Sequence, residues 1–384
     1  MTGSLPAVPV PHAEAARPGP ARLAFTNASS RVMLRLLPHL PDVVKRLLLG
    51  RRTITIDGNT LDTTLQFMLA AQRSAGINGL VASSDVLVAR SQLRTLSAMI
   101  DAGITVGVRD DAIPGPAGPL PVRHYTPVDV PTGAPGSDGS SRERSSAPLL
   151  VFYHGGGFVV GDLDTHDALC RLLCRDAGVH VMAVDYRLAP EHPAPAAVDD
   201  CYAAYRWALD HAAELGADPS RVAVGGDSAG GNLSAVVSQL ARNDGIALPA
   251  LQVLLYPATD FSSDTRSKTL FADGFFLTKT DMDWFRDNYL AGSALDVDDP
   301  RISPLLAEDL SGLPPAMVLT GGFDPLRDEG NQYAEALAAA GVAVDHRQFG
   351  PVVHAFANFF PLGGASATAT AEVVSAVRAH LSRA

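Results

Sequence analysis

The side chains best placed to do chemistry together are one serine, one aspartate and one histidine, far apart in the chain. Gly226-Asp227-Ser228-Ala229-Gly230 sets a serine between glycines, directly after the strand-like run Arg221 to Gly226 and directly before a helical pattern from Ser228 to Arg242. In so tight a strand-to-helix turn the serine is forced out of the sheet with its hydroxyl exposed, and the glycines relieve the crowding of the strained backbone. The amino end of the following helix faces the negative charge that develops as the hydroxyl attacks a carbonyl. A neutral hydroxyl is a weak nucleophile, so a base must take its proton. The order expected for an elbow of this kind is serine, acid, histidine. Asp324 follows the run Ala316 to Thr320, and His354 follows Val342 to Phe349, which puts both at strand ends. Asp328 and Glu329 are rivals for the acid but fall inside the next helical pattern. His346 falls within a strand and would point into core or solvent.

A second motif, His154-Gly155-Gly156-Gly157-Phe158, follows the strand-like run Leu149 to Tyr153. Its bare glycine amides can approach a substrate oxygen closely. With the amide of Ala229 they are expected to form an oxyanion hole from Gly155, Gly156, Gly157 and Ala229, each donor contributing about 3 to 4 kcal/mol in the transition state. A phosphate cradle is the rival reading of a glycine run. The glycine spacing is not that of a dinucleotide loop, and the lysine of a phosphate loop is missing. Acyl transfer through a covalent serine intermediate is the chemistry these residues specify.

The elements needed to hold them can be read along the chain. From Leu149 onward strands alternate with helices: strands at Leu149–Tyr153, Val179–Tyr186, Arg221–Gly226, Leu251–Tyr256, Ala316–Thr320 and Val342–Phe349. Helical patterns fall near Thr165–Asp176, Ala196–His211, Arg327–Ala340 and Ala371–Leu381. Ile104–Val108 and Leu120–Tyr125 read as two strands joined by a turn at Pro114–Gly118. Such alternation implies an α/β fold with a mostly parallel central sheet, helices on both faces and functional loops along one edge. Residues 259–301 interrupt the alternation with Phe261, Phe271, Phe275, Phe276, Trp284, Phe285 and Tyr289. That stretch is assigned, with helical residues 31–100, to a cap over the site, in which Phe158, Trp284 and Phe285 are expected to set acyl preference. Residues 1–30, with five prolines, read as a flexible arm, and Pro131–Ser146 as a surface loop. Residues 101–384 then form the catalytic domain.

At 384 residues the chain has room for one large domain and a smaller module. A net charge of -11 argues against nucleic acid as a partner. Cys170, Cys174 and Cys201 are too few for a disulfide framework. His166, Cys170 and Cys174 fall at helical-turn spacing that a metal could use, but buried thiols are common core fillers, and the expectation is no metal. No apolar run is long enough to span a bilayer and no secretory leader is evident, so a cytoplasmic location is expected. The basic and apolar segment at residues 31–52 leaves two readings open, a face packed on the rest of the chain or a peripheral lipid-surface contact.

Taken together, these motifs resemble the hormone-sensitive-lipase family of α/β hydrolases, in particular actinobacterial lipase/esterase members. The resemblance rests on His154 to Phe158, Thr165-His166-Asp167, Asp185-Tyr186-Arg187-Leu188-Ala189-Pro190-Glu191-His192-Pro193, Gly226 to Gly231, Asp324 to Asp328 and His354. It implies the α/β-hydrolase fold and hydrolysis of short- to medium-chain carboxylic esters, small-molecule substrates, without metal or cofactor. It further implies that Ser228, Asp324 and His354 form the triad, that Gly156 and Gly157 donate to the oxyanion, and that His154 orders their loop. Asp227 would fix the elbow, and Arg187 and Glu191 would form a buried ion pair. Members are often dimers, so a homodimer is implied too. Amidase or peptidase action, and a catalytically silent binding protein on the same scaffold, are the alternatives.

Overall fold

Along Ala147–Tyr153, Leu150 and Phe152 enter one apolar cluster while Leu149, Val151 and Tyr153 enter another. A strand buried on both sides must lie inside a sheet covered on both faces. The computed structural model describes residues 37–50, 52–100, 102–128 and 147–382. The expected arm at residues 1–30 and the whole loop at Pro131–Ser146 lie outside these, as do residues 31–36 and 51 of the basic segment.

The sheet has eight strands: β1 (Gly107–Gly115), β2 (Gly118–Thr126), β3 (Ala147–Tyr153), β4 (His180–Val184), β5 (Ala217–Asp227), β6 (Gln252–Leu255), β7 (Ala316–Phe323) and β8 (Val344–Val353). Their spatial order is β1-β2-β4-β3-β5-β6-β7-β8. The pairs β1–β2 and β2–β4 are antiparallel and the rest are parallel. Helices Asp167–Leu172 and Gly364–Leu381 bury their apolar residues on one face; Ala196–His211, Ala229–Asn243 and Arg327–Ala339 cover the other.

Several boundaries depart from expectation. β1 starts at Gly107 rather than Ile104 and runs to Gly115 through mostly exposed residues. It is an edge strand, held by pairing rather than by an apolar face: Asp110 lies opposite Arg123, whose Nε and Nη2 donate to its carboxylate at 2.6 and 3.0 Å. The last helix begins at Gly364, not Ala371. Its first two turns bury Ser366 and Thr370 instead of large apolar groups, so periodicity does not reveal them. The helix at Asp167–Leu172 continues as a π-turn over Leu173–Gly178.

Two segments sit over the strand ends. Helix Thr63–Ser74 packs on the body, its capping Asp62 also accepting the Ala365 amide at 3.2 Å. Helix Val86–Met99 turns Leu93, Leu96 and Ser97 toward a cavity that Leu277, Met282 and Phe285 face from the 259–301 segment. Helix Lys279–Leu290 joins the two segments through Asp281. This buried carboxylate closes a capping box with Thr278 and accepts the amides of Leu80 and Val81, both at 3.0 Å. Replacing Asp281 by alanine strands these donors, so we expect a loss of about 3 kcal/mol in denaturant unfolding, summed from a lost cap and unpaired buried amides. A loss below about 0.5 kcal/mol, the scale of an ordinary surface change, would contradict the linkage.

Candidate active site

The elbow is a strained turn. Ser228 has φ 55° and ψ −115°, between the end of β5 and the helix that starts at Ala229. A Cβ on Gly226 or Gly230 would overlap the Tyr153 carbonyl oxygen of β3, so both positions exclude larger residues. Such backbone persists only where the surroundings hold it. Here the Ser228 amide donates to the Leu255 carbonyl at 2.8 Å, and the Ser228 carbonyl accepts from Asn232 at 3.0 Å.

The structure brings the three separated side chains together. His354 Nε2 lies 2.9 Å from Ser228 Oγ, and its Nδ1 lies 2.8 Å from Asp324 Oδ2. An ionised carboxylate only accepts, so Nδ1 carries the hydrogen and Nε2 is free to accept from the serine hydroxyl. Asp324 is buried and also accepts the Leu326 amide at 2.8 Å, which fixes the carboxylate in place. The three rivals lie elsewhere. Asp328 accepts the Ser267 amide at 2.7 Å, Glu329 pairs with Lys268 at 2.7 Å, and His346 Nε2 lies 2.8 Å from Asn331 Oδ1.

The glycine loop departs from expectation at one position. The amide of Gly155 donates to Asp227 Oδ1 at 2.9 Å and cannot also serve an oxyanion. The amides of Gly156 and Gly157 carry no hydrogen bond among the described residues, and that of Ala229, first in its helix, has no intrahelical acceptor. These three remain as donors. His154 sits behind them, stacked on Tyr186 with ring centres 4.2 Å apart, while the Tyr186 hydroxyl donates to the His154 carbonyl at 2.7 Å. Its Nδ1 lies 2.8 Å from the Gly155 carbonyl oxygen, an acceptor, so Nδ1 carries a hydrogen. Burial pushes the pKa of His154 down to about 4, which leaves its ring neutral.

Asp227 joins the elbow to its surroundings. Besides Gly155 it accepts from Asn358 Nδ2 at 2.9 Å, and its Oδ1 lies 3.3 Å from His166 Nε2. The Thr165 hydroxyl lies 2.9 Å from His166 Nδ1 and 2.8 Å from the Asp162 carbonyl oxygen, and its one hydrogen can serve either. Nε2 faces a carboxylate and so carries a proton, and the nearby Asp227 and Asp162 raise the imidazole and favour its charged form. The sequence offers His166 only as part of the Thr165-His166-Asp167 signature and of a disfavoured metal set with Cys170 and Cys174, and it gives no role to Asn358, which stands one helical turn after His354.

Other expectations need correcting. Arg187 and Glu191 do not pair with each other. Arg187 forks onto the buried Asp200 through Nε and Nη2, both at 2.9 Å, and Glu191 binds Arg90 of helix Val86–Met99 at 2.7 and 2.8 Å. The geometry favours these because each arginine meets a carboxylate as a planar fork. Phe158 and Phe285 line the cavity, but Trp284 does not; its indole N–H donates to the Ser84 carbonyl at 3.3 Å. Cys170 and Cys174 are buried, with burial pushing the Cys174 thiol up to about 12. Among the described residues no three His, Cys, Asp or Glu side chains gather as a metal site. The cavity, of about 400 Å³, opens onto Ser228 and His354, with Leu93, Leu96, Ile100, Phe276 and Phe359 on its apolar wall.

Known proteins share this architecture. A sequence profile of the family described as alpha/beta hydrolase fold matches residues 150–358. The chain is 54% identical to the carboxylic ester hydrolase LipN of Mycobacterium tuberculosis, each covered over 100% of its length. It is 45% identical to the carboxylesterase NlhH of the same species over 68% of this chain and 79% of that one. Among solved structures, an ester hydrolase from the metagenome of Lake Arreo, complexed with a bipyridine phosphonate derivative, superposes with a TM-score of 0.75. The two are 40% identical, with 83% of this chain and 97% of that chain covered.

The His166–Asp227 pair yields a pH prediction. Burial opposes charge on His166, but Asp227 outweighs it and raises the imidazole above its usual value; burial likewise opposes charge on Asp227, and His166 outweighs it and lowers the carboxyl. A raised histidine stabilises fully below its unfolded value, about 6.5, and loses that contribution as pH climbs through the higher folded value. A lowered aspartate stabilises fully above about 3.9 and loses it as pH falls through the lower folded value. The stability difference between the wild type and H166Q/D227N is therefore expected to be greatest from about pH 4 to 6.5 and to shrink on both sides. Urea unfolding across pH measures it, and a difference independent of pH would refute the ion pair.

Proposed function

We propose, from the premise that the chain belongs to the hormone-sensitive-lipase-like family of α/β hydrolases, that it is a carboxylic ester hydrolase working through Ser228, His354 and Asp324. The observation that carries this reading is the unbroken chain of hydrogen bonds from the Ser228 hydroxyl through His354 to Asp324, at 2.9 and 2.8 Å, at the mouth of an apolar cavity. Ser228 Oγ attacks the ester carbonyl while His354 Nε2 takes its proton. The carbonyl oxygen becomes an oxyanion held by the amides of Gly156, Gly157 and Ala229. Collapse of the tetrahedral intermediate expels the alcohol, protonated by His354, and leaves an acyl-serine. Water, deprotonated by the same imidazole, hydrolyses it and restores the enzyme. Asp324 holds the His354 ring in the tautomer this requires.

The apolar wall favours acyl or alcohol groups of short to medium length over polar ones. Across p-nitrophenyl esters of two to sixteen carbons we expect the wild type to prefer the shorter half. Ser228→Ala should be inactive on all of them, and Asp324→Asn slower by about 10⁴-fold, the cost of the wrong tautomer in such triads. Wild-type turnover by Ser228→Ala would sink the assignment. Matched anilides separate esterase from amidase action.

A lipid-surface contact is supported by helix Asp42–Leu48. Val43, Leu47 and Leu48 are 69%, 53% and 63% exposed, beside the exposed Arg46 and Arg52. Lys45 instead turns inward and donates to Thr64 Oγ1 at 2.9 Å. An exposed apolar stripe flanked by arginines suits an anionic membrane surface. No helix among the described residues is long and apolar enough to cross a membrane. In sedimentation with phosphatidylglycerol vesicles the wild type should bind and L47D/L48D should not; equal binding by both would reject the contact.

A further inference from the structure

Asp227 stands where a negative charge is unwelcome. It directly precedes Ser228, is 3% exposed at its side chain, and accepts the amide of Gly155, the residue before the free donors Gly156 and Gly157. In a water-poor interior an unpaired carboxylate there would oppose the negative charge on the carbonyl oxygen of a tetrahedral intermediate. His166, 7% exposed, faces Asp227 at 3.3 Å, and the carboxylates of Asp227 and Asp162 favour its imidazolium form. The same carboxylate that pins the loop is thereby neutralised by a side chain that, like Asp227 itself, borders the cavity.

We propose that His166 is a positioning residue for ester hydrolysis: as counter-cation to Asp227 it lets that carboxylate anchor the oxyanion loop without opposing the oxyanion. This rests on the reading of Ser228 as nucleophile and of Gly156, Gly157 and Ala229 as oxyanion donors. The other titratable groups facing the pair leave it the role. Asp162 is anionic and lies on the His166 side, which favours the imidazolium. His154, its ring centre 5.5 Å from that of His166, is neutral. Cys170, Tyr186 and Tyr256 are raised by burial and add no charge.

The test is a double-mutant comparison. His166→Gln keeps an N–H toward Asp227 but removes the positive charge. It should lower kcat about 10²-fold with KM within about twofold, the pattern of an interaction felt in the transition state. Its affinity for a trifluoromethyl ketone, which forms an oxyanion on Ser228, should fall by the same factor as kcat/KM. Adding Asp227→Asn removes the stranded charge, so H166Q/D227N should recover at least about tenfold of the lost kcat. A purely structural role would make the double variant no better than the single one, and that result would overturn the proposal. If H166Q fails to fold, the wild-type kcat profile still decides. It should decline on the alkaline side as His166 loses its proton, and persistence of the same limb in H166Q/D227N would overturn the role. Turnover by Ser228→Ala would remove the underlying reading, whereas an inactive Ser228→Ala with wild-type kcat in H166Q would remove this inference alone.

Discussion

The contact on which the rest depends is the close approach of the elbow to the Tyr153 carbonyl of β3. Helix Ala229–Asn243 must start within one residue of the end of β5 and still pack back against the sheet. No room remains for a side chain at Gly226 or Gly230. Ser228 absorbs the turn in a left-handed backbone. The oxyanion loop begins at the residue after Tyr153. The contact that demands glycine in one strand therefore also sets His154 to Gly157 beside the serine hydroxyl. The proposed nucleophile and oxyanion donors are thus positioned by one piece of packing.

What the sequence revealed, and what it hid, follows from how local each constraint is. The elbow was legible because strand, turn glycines and helix are contiguous. Asp324 and His354 were legible because each closes an apolar run, although both strands run further than expected. β7 continues through Gly321-Gly322-Phe323 and β8 through Gly350 and Pro351, where its register with β7 shifts. Glycine and proline ended the apolar pattern before the pairing ended. The loop glycines could not be told apart in the same way. Gly155 differs from Gly156 and Gly157 in that Asp227, seventy-two residues away, takes its amide. Arg187 and Glu191 suggested a pair by proximity, but each found a carboxylate or guanidinium on another element with better fork geometry.

The cavity shows the same divide between pattern and partner. Helical spacing groups Leu87, Leu93, Leu96 and Ile100; the last three line a space open to ligand instead of closing against core, while Leu87 is 69% exposed. Aromatic content marked the 259–301 segment, yet composition could not separate Phe285, on the cavity wall, from its neighbour Trp284, which turns toward Ser84. Asp281 explains why segments two hundred residues apart share that wall. One buried carboxylate caps the helix of one segment and gathers the backbone amides of the other. The shape available to substrate is thus tied to a polar contact that lies outside the reacting groups.

A carboxylate at position 227 follows from counting acceptors. Three donors converge on it: the Gly155 amide, the Asn358 side-chain amide and His166 Nε2. An asparagine would offer one acceptor oxygen and present an N–H to a neighbour that also donates, while a carboxylate offers two oxygens and about four lone pairs. A carboxylate can therefore take the donors of loop, elbow and the residues after His354 all at once. A nearby cation offsets the cost of burying that charge. His166 supplies one in its protonated form, 3.3 Å from Asp227, with the Thr165 hydroxyl 2.9 Å from its other ring nitrogen to orient the ring. The need to join three loops at a single buried point leads, step by step, to a histidine beside the proposed oxyanion donors.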